Sequence, residues 1–291
     1  MVVGTLTGPG LLYVDHSLKV RSMRGMYQLL QKLACGLSDL TIFQNPDDFL
    51  EFRARGVVSS SRSRVILGAG VDTGQLSPDT ISPLDLERVR RELGLGPGQA
   101  MVTMVSRQLR SKGVLDFAAA AQIVARRHPG ARFVYCGLPD IESPDRLTPA
   151  EMDRLKEMVI CLAGREDIPA LLALSRLFVL PTYYREGVPR AMLEAASMGL
   201  PIITTDSPGC RQVVENGVNG LLVPARNPEA LARAIGRLLA DEDLGRGWGR
   251  ESRQRAIRLF DISLVAGQIR AAYGQLLSRK GLEAGACGRR R

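Results

Sequence analysis

The sequence predicts an α/β protein built on a parallel sheet with helices on both faces. From residue 100 onward, apolar runs at 101–105, 133–135, 159–162, 177–180, 202–204 and 221–223 alternate with helical segments near 114–127, 150–157, 169–175, 189–198, 210–215 and 228–240. Repeated alternation of this kind implies crossover connections, which make strands parallel and place helices over the sheet. The helix starts carry matching signals. Thr148-Pro149-Ala150-Glu151 is a capping box with proline at the first helical position, and Asn227-Pro228 opens the next helix in a similar way.

Before residue 100 the elements are more widely spaced. Residues 2–7 alternate weakly as a strand and end in the loop Thr7-Gly8-Pro9-Gly10. A helix over 21–36 carries Met26, Leu29, Leu30 and Leu33 at helical spacing and stops at Gly36. After a short strand at 40–43, Asn45 can cap a helix whose first turn holds Pro46, Asp47 and Asp48. A metal-binding carboxylate pair is the sharper reading of the two aspartates, but the cap explains both without a ligand. A strand at 65–67 runs into Gly70-Val71-Asp72, and the polar stretch 73–82 reads as a linker. Ser82-Pro83-Leu84-Asp85 then caps a helix reaching Leu93. A last helix over 260–277 places Ile262, Val265, Ile269, Tyr273, Leu276 and Leu277 on a broad apolar face, and the glycine-rich basic tail 278–291 is expected to be disordered.

The chain has 291 residues, 45% hydrophobic and 24% charged, as a soluble globular protein does. It has no apolar run of 18 residues, and Met1-Val2-Val3-Gly4-Thr5 lacks a charged segment, so neither a membrane span nor a signal peptide is expected. Cys35, Cys136, Cys161, Cys210 and Cys287 are scattered without a C-x-x-C pair, which predicts reduced thiols in a cytosol. The net charge of +9 favours an anionic partner: nucleic acid, a phospholipid surface or a nucleotide diphosphate. Aromatic content of 5% and the lack of any nucleic-acid motif put nucleic acid last. A coding bias toward arginine on a solvated surface accounts for the charge more simply than a dedicated patch, since lysine occurs only at 19, 32, 112, 156 and 280. His16 reads as a loop residue and His128 as a solvated helix end. With no Ser, Cys or metal partner nearby in sequence, hydrolase triads and zinc chemistry are disfavoured. No G-x-G-x-x-G opens a helix after the first strand, which disfavours a nicotinamide enzyme.

The chemistry concentrates in Glu186-Gly187-Val188-Pro189-Arg190-Ala191-Met192-Leu193-Glu194, directly after the run 177–180. Pro189 suits the first helical position and Gly199 the left-handed residue after the helix. Such a helix points the N–H groups of Arg190 and Ala191 and its positive dipole end outward, ready for a phosphate or diphosphate. Glu194 lies one helical stretch of about 7.5 Å beyond Pro189, whereas Glu186 stands at the mouth. Carboxylates on both sides of a phosphate site suit a nucleoside diphosphate sugar. Arg107 and Lys112, in Ser106-Arg107-Gln108-Leu109-Arg110-Ser111-Lys112-Gly113, project from another strand's carboxyl end, where cations can grip phosphate oxygens.

Glu186-x7-Glu194 with Gly187 and Pro189 resembles the signature of retaining glycosyltransferases of family 4, which have the GT-B fold of two facing Rossmann-like domains. Ser106-Arg107, Lys112-Gly113, Gly209, Glu215, Asn219-Gly220-Leu221-Leu222-Val223, Phe43-Gln44-Asn45 with Asp48, and Gly70-Val71-Asp72 resemble that family too. The resemblance implies that Arg107 and Lys112 act at the catalytic centre and hold the donor diphosphate. Gly187, Val188 and the amides of Arg190 and Ala191 complete its cradle. It further implies that Glu194 binds the ribose, that Glu186 meets the sugar near its reacting carbon and that Arg165 lies near the base. Transfer without a metal or other cofactor is implied as well.

The domain plan that follows is a remnant of an N-terminal acceptor domain at 1–72, a linker at 73–82 and a complete C-terminal Rossmann-like donor domain at 83–258. A crossing helix at 259–278 and a basic tail at 279–291 complete it. Family members begin with more β/α units, so the resemblance implies an N-terminal truncation, an incomplete acceptor pocket and an exposed apolar face on the last helix. Many relatives carry histidine where Thr7 stands. The expected function is transfer of a hexose or N-acetylhexosamine, from a UDP-sugar rather than a GDP-sugar, to a lipid-linked or glycan acceptor for bacterial surface polysaccharide. The expected place is the cytoplasm, with peripheral contact at the inner face of the plasma membrane. Basic segments 19–32 and 53–64 offer that contact, against the plainer reading of solvated helix faces. The alternatives are an inactive fragment or a nucleotide-sugar-binding subunit completed by a protein partner. An epimerase of this architecture would need acid/base groups that residues 1–72 do not offer.

Overall fold

In the computed structural model, which describes residues 1–14 and 18–281, two wholly parallel sheets organise the chain. The first is built from β1 (Val3–Leu6), α1 (Leu18–Leu37), β2 (Leu40–Phe43), α2 (Pro46–Ala54) and β3 (Ser63–Val65), with its strands in sequence order. The chain continues through α3 (Pro83–Glu92), β4 (Met101–Val105), α4 (Val114–Ala125), β5 (Arg132–Cys136), α5 (Pro149–Met158) and β6 (Ile160–Leu162). Then come α6 (Ile168–Ala173), β7 (Ser175–Leu180), α7 (Arg190–Ser197), β8 (Ile202–Thr205), α8 (Cys210–Val213), β9 (Gly220–Val223) and α9 (Pro228–Ala240). Helices α10 (Glu242–Arg255) and α11 (Ile262–Arg279) close the described chain.

The second sheet has the order β6-β5-β4-β7-β8-β9. Strands are laid down in one direction from β4 to β6, and the chain then returns to β4's other side to lay down β7. Loops leaving β4 and β7 therefore part in opposite directions at the sheet's carboxyl edge and leave a crevice between them. Central-strand residues Val102, Met104, Phe178, Val179, Ile202 and Ile203 are fully buried, as expected of a sheet covered on both faces.

The predicted caps form. Asn45 accepts from the Asp48 N–H at 2.8 Å, Ser82 from Asp85 at 3.1 Å and Asn227 from Ala230 at 2.9 Å. Thr148 and Glu151 make the reciprocal box. Each cap satisfies donors that the first helical turn leaves open, at about 1 kcal/mol apiece.

Several expectations need correction. Pro189 is the cap of α7, with ψ 119°, and the helix starts one residue later at Arg190. The strand expected at 65–67 is β3 at Ser63–Val65, although Ile66 and Gly68 still donate to Phe43 and Gln44. Helix α10 was not expected, because Gly245, Gly247 and Gly249 each weaken a helix by about 1 kcal/mol. Tertiary packing overrides that cost: Trp248 is buried, and Gly249 lies so close to α7's end that a Cβ there would meet the Gly199 carbonyl oxygen at 2.2 Å.

The apolar face of the last helix is covered along Val265, Ala272 and Leu276, which pack on Leu40, Ile42 and Ile66 of the first sheet, while Ile262 and Tyr273 stay exposed as expected. Helix α1 shows the reverse. It forms over a longer span than expected, but Met26, Leu29, Leu30 and Leu33 face outward. The 73–82 stretch holds a 3-10 turn at Pro78–Thr80, and the Leu76 carbonyl accepts from Ser197 and Arg253, so this connection is tied to α7 and α10. Among the described residues no helix is long and apolar enough to cross a membrane, and Cys35, Cys136, Cys161 and Cys210 are free thiols. His16, Cys287 and the tail beyond residue 281 lie outside the described residues.

Candidate functional site

The crevice between β4 and β7 collects most of the residues singled out in the sequence. Lys112 leaves the loop after β4 and Glu186 the loop after β7, and they meet across the crevice with Nζ 2.5 Å from Oε1. Lys112 is only 6% exposed. Its charge is held by geometry and a partner rather than by water. Arg107, from the same loop, pairs with Asp140 at 2.6 Å. The ring of Tyr184 lies 5.8 Å from the Arg107 guanidinium and 5.2 Å from the Lys112 ammonium, so it holds two cations at one place.

Gly187, Val188 and Pro189 lead from this pair into α7. The amides of Arg190 and Ala191 find no protein acceptor among the described residues, as the first turn of a helix requires. Val188 is buried and Ala191 packs against the core, so both anchor the turn while their backbones face the crevice end of α7. Farther along, Glu194 accepts from Arg190 at 2.9 Å and lines a separate cleft of about 600 Å³ with Glu166, Ile168, Pro169, Asp72 and Gln75. The two glutamates thus serve different places: Glu186 the crevice, Glu194 a separate chamber beside α7.

Arg165 sits apart from both. It donates to Asp167 at 2.7 and 2.8 Å and to both oxygens of Glu92, tying the loop after β6 to α3. These hydrogen bonds hold its guanidinium pKa well above the ordinary arginine value, and they hold the Asp167 carboxyl down at about 2. Its neighbours Glu166 and Ile168, rather than Arg165 itself, form the chamber wall.

The sequence reading missed the clamp that sets the 184–187 loop. Thr7 O accepts from the Gly187 N–H at 2.5 Å, and Arg185 O accepts from Gly10 N–H at 2.9 Å. Gly8, at φ 118°, approaches so closely that a Cβ would lie 2.6 Å from the Glu186 Cα; only glycine fits there. From α2, buried Asn45 donates to Gly187 O at 3.1 Å, and Asp48 accepts from Arg185 at 2.8 and 3.1 Å. Burial pushes the Asp48 carboxyl pKa up, while Asn45 and Arg185 oppose that rise. Asp47 accepts from Arg211 at 3.0 Å. The aspartates expected to favour the start of α2 therefore also bind the second sheet's loops to the first. No pattern within α2 itself could have disclosed partners over 130 positions away. Among the described residues, no group of three His, Cys, Asp or Glu is placed to hold a metal ion. His128 lies past the end of α4, partly buried near Gly236 and away from this site.

Known proteins resemble this chain in sequence and fold. The chain is 28% identical over 271 residues to an N,N'-diacetylbacillosaminyl-diphospho-undecaprenol alpha-1,3-N-acetylgalactosaminyltransferase of Campylobacter jejuni, covering 93% of this chain and 69% of that one. It is 27% identical to a UDP-Gal:alpha-D-GlcNAc-diphosphoundecaprenol alpha-1,3-galactosyltransferase of Escherichia coli, covering 96% and 70%. Among solved structures, sucrose-phosphate synthase of Thermosynechococcus elongatus superposes with a TM-score of 0.79 at 26% identity, over 95% of this chain and 68% of that one. The fold is that of the GT-B glycosyltransferases. A model of the family described as glycosyl transferases group 1 matches residues 85–255, the span that carries Arg107, Lys112, Glu186 and Glu194, and the chain belongs to that family of glycosyltransferases.

Proposed function

We propose that the chain transfers a hexose or N-acetylhexosamine, with retention of anomeric configuration, from a UDP-sugar to a polyprenyl-diphosphate-linked or glycan acceptor in surface polysaccharide synthesis. The observation that carries this reading is the Lys112–Glu186 pair across the β4/β7 crevice, beside the open amides of α7. The donor diphosphate sits between those amides and the Arg107 and Lys112 cations. Its nucleoside reaches the chamber where Glu194 accepts from ribose hydroxyls, and its sugar faces Glu186.

During transfer the bond from the anomeric carbon to the diphosphate oxygen breaks, and the acceptor hydroxyl oxygen bonds to that carbon. The hydroxyl proton leaves with the diphosphate. Negative charge gathers on the leaving group, where fixed cations and helix amides lower the barrier. No metal ion takes part in this proposal. The two relatives named above act, by their names, on undecaprenyl diphosphate-linked sugars, which supports a lipid-linked acceptor.

Calorimetry with UDP and GDP tests the donor site. UDP is expected to bind more tightly than GDP, and Glu194→Ala to weaken UDP by about 10-fold to 100-fold, the loss of hydrogen bonds to a charged acceptor. Equal and negligible heats for both nucleotides sink the reading. Turnover of UDP-hexoses with a lipid-linked acceptor in the presence of EDTA, with the product anomer assigned by NMR, tests metal independence and retention.

A further inference from the structure

We infer that Asp145 is a positioning residue for transfer: through Ser111 it holds the two loops that bring Lys112 and Glu186 together across the crevice. This rests on the diphosphate-binding role proposed above for Lys112. Ser111 is fully buried and immediately precedes Lys112. Its polar groups all reach out of its own loop. The Ser111 N–H donates to Asp145 Oδ2 at 2.9 Å, and its hydroxyl donates to the same oxygen. Two donors of one residue meeting on one carboxylate oxygen fix its backbone and its side-chain rotamer together. The Ser111 carbonyl serves the loop after β7, accepting from the Tyr183 N–H at 2.8 Å, the Tyr184 N–H at 2.9 Å and the Thr182 hydroxyl at 3.1 Å. One residue thus joins the loop after β4 to the turn that leads into Glu186.

The join is close as well as polar. Gly113, at φ 77°, lies so near the exit of β7 that a Cβ there would meet the Pro181 carbonyl oxygen at 2.2 Å. Both backbone neighbours of Lys112 are therefore seated on residues 181–184, and its ammonium meets Glu186 and the Tyr184 ring. Asp145 comes from a third place, the connection between β5 and α5. Its carbonyl accepts from the Arg110 N–H at 2.9 Å and its N–H donates to Ser143 Oγ at 3.2 Å, so the carboxylate is presented at a fixed register. Without that carboxylate, the buried N–H and hydroxyl of Ser111 lose their acceptor, and an unpaired buried donor carries its full desolvation cost. The loop relieves that cost by moving, and Lys112 moves with it. These members all lie within residues 85–255, apart from the first sheet. No local pattern marks the role, since 34 positions separate Ser111 from Asp145.

Acetylation of the full chain's lysines, followed by mass spectrometry, tests this with neither donor nor acceptor present, so a contact of Asp145 with an acceptor cannot produce the result. Lys112, buried and paired, is expected to react at least about tenfold more slowly than exposed Lys156 in the wild type. Asp145→Ala is expected to quicken Lys112 about tenfold while Lys156 and Lys280 keep their rates, the size expected for losing a hydrogen bond to a charged acceptor. Asp145→Asn keeps an acceptor oxygen and is expected to stay within about twofold of the wild type. Fluorescence of Trp248, the only tryptophan, checks folding. If Asp145→Ala does not fold, Ser111→Ala takes its place and is expected to quicken Lys112 about threefold. In titrations, the alanine variant is expected to weaken UDP about tenfold and uridine less than about twofold, because uridine lacks the diphosphate.

Unchanged Lys112 reactivity in the folded alanine variant overturns the inference. So do equal effects of Asp145→Asn and Asp145→Ala, which would assign the effect to charge, and equal losses of UDP and uridine. Lysine rates that respond as expected, with no UDP binding by the wild type, remove the donor proposal and leave the hold of Asp145 on Lys112 standing.

Discussion

Lys112 is held at the crevice by a carboxylate across it and an aromatic ring beside it. Lys112→Met removes the charge, keeps the bulk and leaves Glu186 without its partner. Turnover is expected to fall by about 10²-fold to 10³-fold, as for loss of a preorganised charge-stabilising group. Urea unfolding is expected to register a loss of about 1–3 kcal/mol from the unpaired carboxylate. Glu186→Gln in the same chain is expected to restore the stability but not the turnover. Restoration of both would reduce the pair to a structural tie. The gathering of Arg107, Lys112 and Glu186 at one crevice was legible because all three stand in loops that leave strand ends. Tyr184, Asn45 and Asp48 were not legible as site residues, since their partners come from other elements. Arg165 is conspicuous in sequence, yet its guanidinium is engaged by Glu92 and Asp167.

At the scale of elements, two acid-sensitive ties fix loops around the second sheet. Arg110 hydrogen bonds hold the Glu151 carboxyl at about 2, joining the loop after β4 to the first turn of α5, and Arg165 does the same for Asp167. Both carboxyls titrate lower in the folded chain than in the unfolded one. Between roughly pH 5 and pH 2 the unfolded state therefore binds more protons, and stability falls as the pH falls. Glu151→Gln and Asp167→Asn are expected to be less stable than the wild type at pH 7 and to show a shallower loss between those limits. Thermal unfolding measured across that pH range checks it; parallel curves for variant and wild type would show that the ties contribute nothing. The caps and prolines marked helix starts to within about a residue, Pro189 being the cap rather than the first helical residue of α7, because they act within four residues. Helix α10 escaped notice because its glycines argue against a helix locally, whereas its burial of Trp248 depends on α9 and the core.

At the scale of the molecule, α11 joins the two sheets. The chain turns at Phe260 and Ile262, which exchange backbone hydrogen bonds with Val71, and then buries Val265, Ala272 and Leu276 on the first sheet. Leu276→Ala is expected to cost about 2–4 kcal/mol from lost burial and an unfilled cavity. Hydrogen exchange is expected to quicken in β2 and β3 while the β4 to β9 sheet stays protected. Uniform quickening across both sheets would mean that they unfold as one unit. By itself, the sequence determined the parallel α/β class, most element positions and the helix start with open amides after Pro189, because periodicity, caps and helix dipoles are local physics. Only the tertiary structure decided that α1 turns its leucines outward, that α11 buries Val265, Ala272 and Leu276 on the first sheet, and that the first sheet clamps the Glu186 loop. Those outcomes depend on which surfaces meet across more than a hundred residues, and periodicity along one helix marks an apolar side without saying what it faces.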